Sequence, residues 1–304
     1  MMARRGVLAL LLGLPALAAL AYSGGRAPFL TPPPPSGPLN VFHLGHSLVG
    51  ADMPYMLQQL AGKGHGYNSQ IGSGTTMRQH WEPGERIRDF SKVNHAPAYR
   101  DAREGIGSGE YDAVVLTSMV ELKDAIRWHK SPKYFRRWAD LARGGNPETR
   151  VYLYETWHWL DDPDGWMERV AADLDPLWLG QLIKPDTRRN PDRPAYLIPG
   201  GQALAAVARA AEAGELEGVS RREELFGRDP EGNQDPIHFG ELGAYVIALT
   251  HYAVLYQKPP MGLPHELRLR DGSVAQAFSA SDAVKVQDIV WQVVTGLART
   301  GVQS

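Results

Sequence analysis

The chain contains no cysteine. No disulfide can support the fold, a lipid-modified N-terminal cysteine is excluded, and the core alone must suffice. There is also no phosphate-binding loop ending in Lys-Ser/Thr and no Gly-x-Gly-x-x-Gly turn opening a helix after a strand, so no nucleotide cofactor is implied. Neither sign of charge dominates: 32 Lys and Arg stand against 34 Asp and Glu, a net of −2 that becomes −4 without Arg4 and Arg5. That balance disfavours nucleic acid as a partner. Tyr134-Phe135-Arg136-Arg137-Trp138 accordingly reads as a solvated helix face. No internal repeat is evident. No metal is expected, because a strand and turn would not aim His43, His46 and the distant His238 at one ion without further ligands.

What is present is ordinary globular composition, 304 residues with 43% hydrophobic and 22% charged side chains, which suits one α/β domain. The one long apolar run is Gly6 to Ala21, behind Met1-Met2-Ala3-Arg4-Arg5. Basic and hydrophobic regions in that order read as a signal peptide over residues 1–21, with Ala19-Leu20-Ala21 offering a cleavage site. The protein is therefore expected to be exported to the periplasm or the extracellular space. The rival reading is an uncleaved anchor, with Pro15 kinking the run. The mature domain itself is not expected to insert into a membrane. Residues 22–38, with Pro32-Pro33-Pro34-Pro35, read as an extended tether, and the domain as residues 39–304.

Within that domain, strand-length apolar runs recur at Leu39–Leu44, Tyr67–Ile71, Ala113–Thr117, Val151–Tyr154 and Ala195–Ile198. Helical patterns fall at Pro54–Lys63, Pro132–Arg143, Gly165–Leu182, Gln202–Ala213, Glu241–Tyr256 and Ser281–Leu297. The alternation argues for a mostly parallel five-stranded sheet with helices on both faces. Ligands of such sheets bind beyond the carboxyl ends of the strands, which is where Ser47, Gly74 and the Thr117 region would lie.

Ser47 closes Gly45-His46-Ser47-Leu48 behind the first strand, and His238 closes Asp235-Pro236-Ile237-His238. A serine hydroxyl is a weak nucleophile at neutral pH. Acyl transfer needs an imidazole to take its proton and a carboxylate to orient that imidazole. The two segments supply all three groups, and the spacing from Asp235 lets both side chains fall on one side of a turn, with Nδ1 toward the carboxylate and Nε2 toward the serine. Alone, Ser47 would read as a helix cap.

These blocks resemble the SGNH hydrolases, also called GDSL esterases and lipases, in their residues and in their order along the chain. The resemblance implies a single three-layer αβα, flavodoxin-like domain with Ser47, His238 and Asp235 as catalytic triad. Ile71-Gly72-Ser73-Gly74-Thr75-Thr76 is similar to the second family block, which makes Gly74, ahead of Gly72, the glycine whose N–H joins the oxyanion hole. The third block departs. The family's Gly-x-Asn-Asp is replaced by Val114-Val115-Leu116-Thr117-Ser118-Met119-Val120-Glu121, so the usual asparagine donor is missing. Thr117, Ser118 and the indole of Trp157 are its candidate substitutes. His46 in place of the usual Asp or Asn is a second departure, either donating to substrate and tuning the serine or serving the structure.

Tyr154-Glu155-Thr156-Trp157-His158-Trp159 should emerge at the same rim. Trp157 and His158, with Trp81 near the Gly74 loop, are the expected substrate contacts, Trp159 sharing their aromatic surface. The reading is an esterase acting on a small-molecule or glycan ester, with a short acyl, O-acetyl first. An acyltransferase on the same triad and an inactive glycan-binding protein are the alternatives. The acyl group, the alcohol and the oligomeric state are not legible.

Overall fold

The computed structural model describes residues 29–229 and 231–303. The segment read as a signal peptide, residues 1–21, lies outside them, as do residues 22–28 of the tether. Among the described residues no helix is long and apolar enough to cross a membrane.

Five parallel strands form the central sheet: β1 (Asn40–His46), β2 (Gly66–Gly72), β3 (Ala113–Thr117), β4 (Arg150–Glu155) and β5 (Tyr196–Pro199), in the order β2-β1-β3-β4-β5. Successive side chains on a strand point to opposite faces, and here both faces are buried. Val41, Val115, Tyr152, Tyr154 and Ile198 join one core, against helices Asp52–Ala61, Gly200–Glu212, Glu241–Tyr256 and Ala280–Gly296. Phe42, Leu44, Leu116, Leu153 and Leu197 join the other, against helices Ala102–Gly107, Leu122–Arg127 and Ser131–Gly145. This is a single αβα domain with three layers. Full burial of each large apolar side chain contributes about 1.5–3 kcal/mol, which explains how the fold holds without a disulfide.

The chain steps from β1 outward to β2 and then crosses back to β3, so the topology switches direction beside β1. Doubly wound sheets open a crevice at such a point, beyond the carboxyl ends of the strands. Ser47 follows the last residue of β1 directly.

Two expected elements differ. The long helix over 165–182 is a helix at Trp166–Asp173, a π-helical stretch at Leu174–Ile183 and a further helix at Lys184–Arg189. Pro176 and Pro185 bring no N–H to the helical ladder, which favours a change of register. Secondly, Asp235 and His238 do not sit in a plain turn. They lie on β7 (Gln234–Phe239), which pairs antiparallel with β6 (Phe226–Arg228) in a separate two-stranded ribbon. The helix expected behind them begins at Glu241.

The described part of the proline-rich segment packs against the pole opposite Ser47. The Pro33 carbonyl accepts from Arg150 and Gln257, and Phe29 meets Tyr196 edge-on at 5.5 Å.

Candidate active site

The turn that carries Ser47 needs close backbone packing. A Cβ on Gly45 would collide with the side chain of Thr117 on β3 and press on Val49, so only glycine lets β1 end this close to its neighbour. His46, the next residue, is buried and acts on the turn from within. Its Nδ1 accepts the Leu48 N–H at 3.3 Å, and its Nε2–H donates to the Ser118 carbonyl at 2.8 Å. Burial pushes this imidazole down to about 4, outweighing the Ser118 carbonyl that favours the charged ring, with His238 adding repulsion. The neutral Nε2–H tautomer is what both bonds require. Of its two sequence readings, the structural one describes these contacts.

A second histidine braces the same turn. His80 Nε2–H donates to the Gly45 carbonyl at 2.8 Å, while its Nδ1 accepts from the Gln70 amide at 2.9 Å. Gln70 in turn accepts the Ala102 N–H at 2.9 Å. Burial holds His80 at about 4 as well. Tyr154 completes the support, its hydroxyl donating to the Leu48 carbonyl at 3.1 Å.

Across the crevice, the ribbon brings the other two groups to Ser47. The Ser47 hydroxyl lies 2.8 Å from His238 Nε2, and His238 Nδ1 lies 2.8 Å from Asp235 Oδ2. The second carboxylate oxygen, Oδ1, accepts the N–H groups of Ile237 at 2.9 Å and His238 at 2.8 Å. Partial burial works to raise the Asp235 carboxyl. The two N–H groups and the imidazole outweigh it, and the acid stays below the ordinary carboxylate range. Asp235 is thus ionised at neutral pH and fixes the ring so that Nε2 faces the hydroxyl. Such a relay can move the serine proton to imidazole while a carbonyl is attacked.

The register pairs His46 on β1 with Gly72 on β2, so the loop carrying Gly74 leaves the sheet beside Ser47. Gly74 adopts φ +56°, and its N–H has no acceptor among the described residues.

The three side chains considered for the missing asparagine are all engaged elsewhere. Thr117 donates its hydroxyl to the Tyr154 carbonyl at 2.8 Å, Ser118 shares a hydrogen bond with Ser131 at 2.8 Å, and both are buried. The Trp157 indole donates to the Ile237 carbonyl at 2.8 Å. None is free to take an oxyanion.

Of the expected substrate contacts, Trp157 and His158 are enclosed by their neighbours. Trp157 is 1% exposed and wedged against Phe226 and Phe239 of the ribbon. His158 is 3% exposed, with its nitrogens 3.6 Å from Glu121 Oε2 and 3.2 Å from Asp173 Oδ2. Trp81 meets Trp138 edge-on at 4.9 Å, and the Arg103 guanidinium covers its ring at 4.2 Å. Trp157 and His158 are thus enclosed, Trp81 is partly buried, and Trp159 is 45% exposed.

Sequence reasoning missed the supporting roles of His80, of the Leu160 N–H, which donates to the Pro236 carbonyl at 2.8 Å, and of Glu121 and Arg169. Glu121, His158 and Asp162 bring ligand atoms within 4.8 Å of one another, a grouping that could hold a cation. The Arg169 guanidinium already occupies that centre, with Nη atoms 2.6 Å from Glu121, 2.8 Å from Asp162 and 2.9 Å from Asp173.

No protein-family model matches the chain, and the curated proteins contain no significant match. Among solved structures, a DUF4886 family protein from Bacteroides uniformis is similar in fold, with a TM-score of 0.55 and 13% identity over 84% of this chain and 94% of that one. A putative GDSL-like lipase from Parabacteroides merdae matches at 0.39, with 12% identity over 72% of this chain and 96% of that one. Phospholipase A1 from Streptomyces albidoflavus matches at 0.38, with 12% identity over 68% and 95%. At this identity the first likeness concerns fold alone, and the two lower scores carry no weight for the chemistry.

Proposed function

We propose that this protein is a serine esterase that removes a short acyl group, O-acetyl first, from a carbohydrate or similarly bulky alcohol. The observation that carries this reading is the Asp235–His238–Ser47 relay, with both links at 2.8 Å. Ser47 Oγ attacks the ester carbonyl as its proton passes to His238 Nε2. The ionised Asp235 stabilises the resulting imidazolium through Nδ1–H. Negative charge on the carbonyl oxygen is taken by the N–H groups of Ser47 and Gly74. Collapse of this intermediate breaks the bond to the alkoxy oxygen, which leaves with the proton from Nε2 as a free alcohol. Water, deprotonated by the same nitrogen, then attacks the acyl-serine and releases the carboxylic acid.

Three features support a short acyl on a large alcohol. The His238 side chain is 44% exposed. The Ser47 hydroxyl it faces, 2.8 Å from Nε2, is therefore reached from an open rim, which suits a bulky alcohol. Trp159 presents an exposed indole on the loop that touches the ribbon, and such faces stack on sugar rings. With residues 1–21 read as an export signal, the activity would operate outside the cytoplasm.

The test is hydrolysis of p-nitrophenyl acetate by the purified protein and by Ser47→Ala. Triad serines typically account for about 10⁴- to 10⁶-fold in turnover, so the variant is expected to fall to background. Equal rates for the two proteins would end the proposal.

A further inference from the structure

Arg169 lies outside the relay, yet it closes a part-buried clasp beside it. Its guanidinium joins Glu121, which follows β3, to Asp162 on the loop after β4 and to Asp173 at the end of its own helix. His158 packs inside the same group. Burial works to raise the Glu121 carboxyl, but the His158 imidazole 3.6 Å away and hydrogen bonds from the Lys123 N–H and Arg169 hold it far below the usual carboxylate range. The clasp thus fixes both ends of the segment from Trp157 to Asp162.

The inner side of that segment touches the acid–base ribbon at two consecutive carbonyls. Trp157 Nε1–H donates to Ile237 at 2.8 Å, and Leu160 N–H donates to Pro236 at 2.8 Å. Pro236 and Ile237 are the residues between Asp235 and His238. The ribbon's own ladder is short and carries a register shift between Phe226 and Arg228, so its position depends on what it rests against.

We infer that Arg169 is a positioning residue: by holding Glu121, Asp162 and Asp173 together it seats the Trp157–Leu160 loop, which sets the aim of His238 at Ser47. This rests on the esterase reading. Without the guanidinium, three carboxylates and His158 are left in one part-buried group, with only the more exposed Lys123 ammonium, 3.8 Å from Asp173, against them. The segment then shifts to separate them, and a displacement of about 1 Å at a reacting group can cost about 100-fold.

The experiment uses the full chain and p-nitrophenyl acetate, with Arg169→Gln, Trp157→Phe and the double variant. Melting is followed in parallel by circular dichroism. Arg169→Gln is expected to lower kcat by about 10- to 100-fold with KM nearly unchanged, in a protein that still melts cooperatively. Arg169→Lys should recover only part of the rate, since one ammonium cannot span three carboxylates as the planar fork does. Because both residues act through the same loop-to-ribbon seam, the double variant should be little slower than the slower single variant. Multiplicative losses would overturn the inference, as would a kcat within about twofold of wild type in folded Arg169→Gln. Loss of activity on adding EDTA would also overturn it, by assigning Glu121, His158 and Asp162 to a metal ion. Should Arg169→Gln not fold, Glu121→Gln removes a single arm of the clasp and is read in the same cycle. Failure of the esterase reading itself shows separately, as Ser47→Ala retaining the wild-type rate.

Discussion

Ser47 leaves the end of a central strand whose last six residues are all buried, whereas Asp235 and His238 ride on a two-stranded ribbon with side chains 25% and 44% exposed. The Ser47 turn is braced from beneath by two neutral histidines, His46 and His80, and by the Tyr154 hydroxyl. The ribbon that carries Asp235 and His238 is braced from the side by a tryptophan indole and a loop N–H, beside an arginine clasp. One half of the site is therefore part of the core, and its integrity should track global stability. The other half is an attachment, whose loss of precision should lower turnover before it unfolds the protein.

Acid should break the first half most severely. His43, His46, His65, His80 and His251 are all buried, and burial is the leading cause that lowers each, to about 4 for the last four. In the unfolded chain they take up protons near 6.5. Their contribution to stability is thus complete above pH 6.5 and is lost as pH falls toward 4. Each such proton steepens the loss by about 1.4 kcal/mol per pH unit. Glu155 has the opposite sign, since burial raises it to about 8. It favours the folded state at low pH and weakens it as pH rises to 8. A stability maximum near neutrality is expected, with a steep acid limb and a shallow alkaline one. Urea unfolding at pH 7.0 and 5.0 checks this, and midpoints that agree would mean the histidine braces are not the proton-sensitive elements described.

Trp157→Phe should act on the other half with a smaller effect. The ring still packs on Phe226 and Phe239, but the Ile237 carbonyl loses its donor. An unsatisfied buried acceptor costs about 1–3 kcal/mol, a drop the rest of the core can absorb. Turnover is expected to fall by about tenfold with KM little changed. Steady-state kinetics beside a thermal melt separate the two. A variant that loses stability with kcat intact would show that the ribbon does not need this brace for alignment.

The same contrast explains what the sequence reveals. Val41 to Leu44, broken only by the buried His43, and Ala113 to Leu116 read as strands because burial on both faces leaves a nearly continuous apolar signal. Ser47, Asp235 and His238 stand out because their chemistry compresses into two short blocks. The ribbon escapes notice, since Gln234-Asp235-Pro236 looks like a turn and only its pairing with Phe226 and Arg228 makes it a strand. Thr117 and Ser118 pass for oxyanion donors until their partners appear, 37 and 13 positions away. Arg169 and Glu121 lie 48 residues apart, a link no local spacing could suggest. Trp157 was legible as an aromatic of the rim, but whether its ring faces outward or into the ribbon is decided by the tertiary packing of Phe226 and Phe239.

The smallest expected effect concerns the joint between the halves. Gly74 has the left-handed φ of +56°, yet a Cβ built there meets nothing within 4 Å. Gly74→Ala therefore introduces conformational strain without a clash, of about 1–2 kcal/mol for an L-residue in that region. The backbone N–H survives the substitution, so an oxyanion donor placed by the loop should persist, and turnover should change by only a few-fold. The informative comparison is with Gly45→Ala, where the new methyl would strike Thr117 and Val49 and destabilise the whole Ser47 turn. Melting temperatures and kcat for the two variants rank them. If Gly74→Ala proves as damaging to folding as Gly45→Ala, the loop is held as rigidly as the strand, and the boundary between core-built and attached parts of the site must be redrawn to include it.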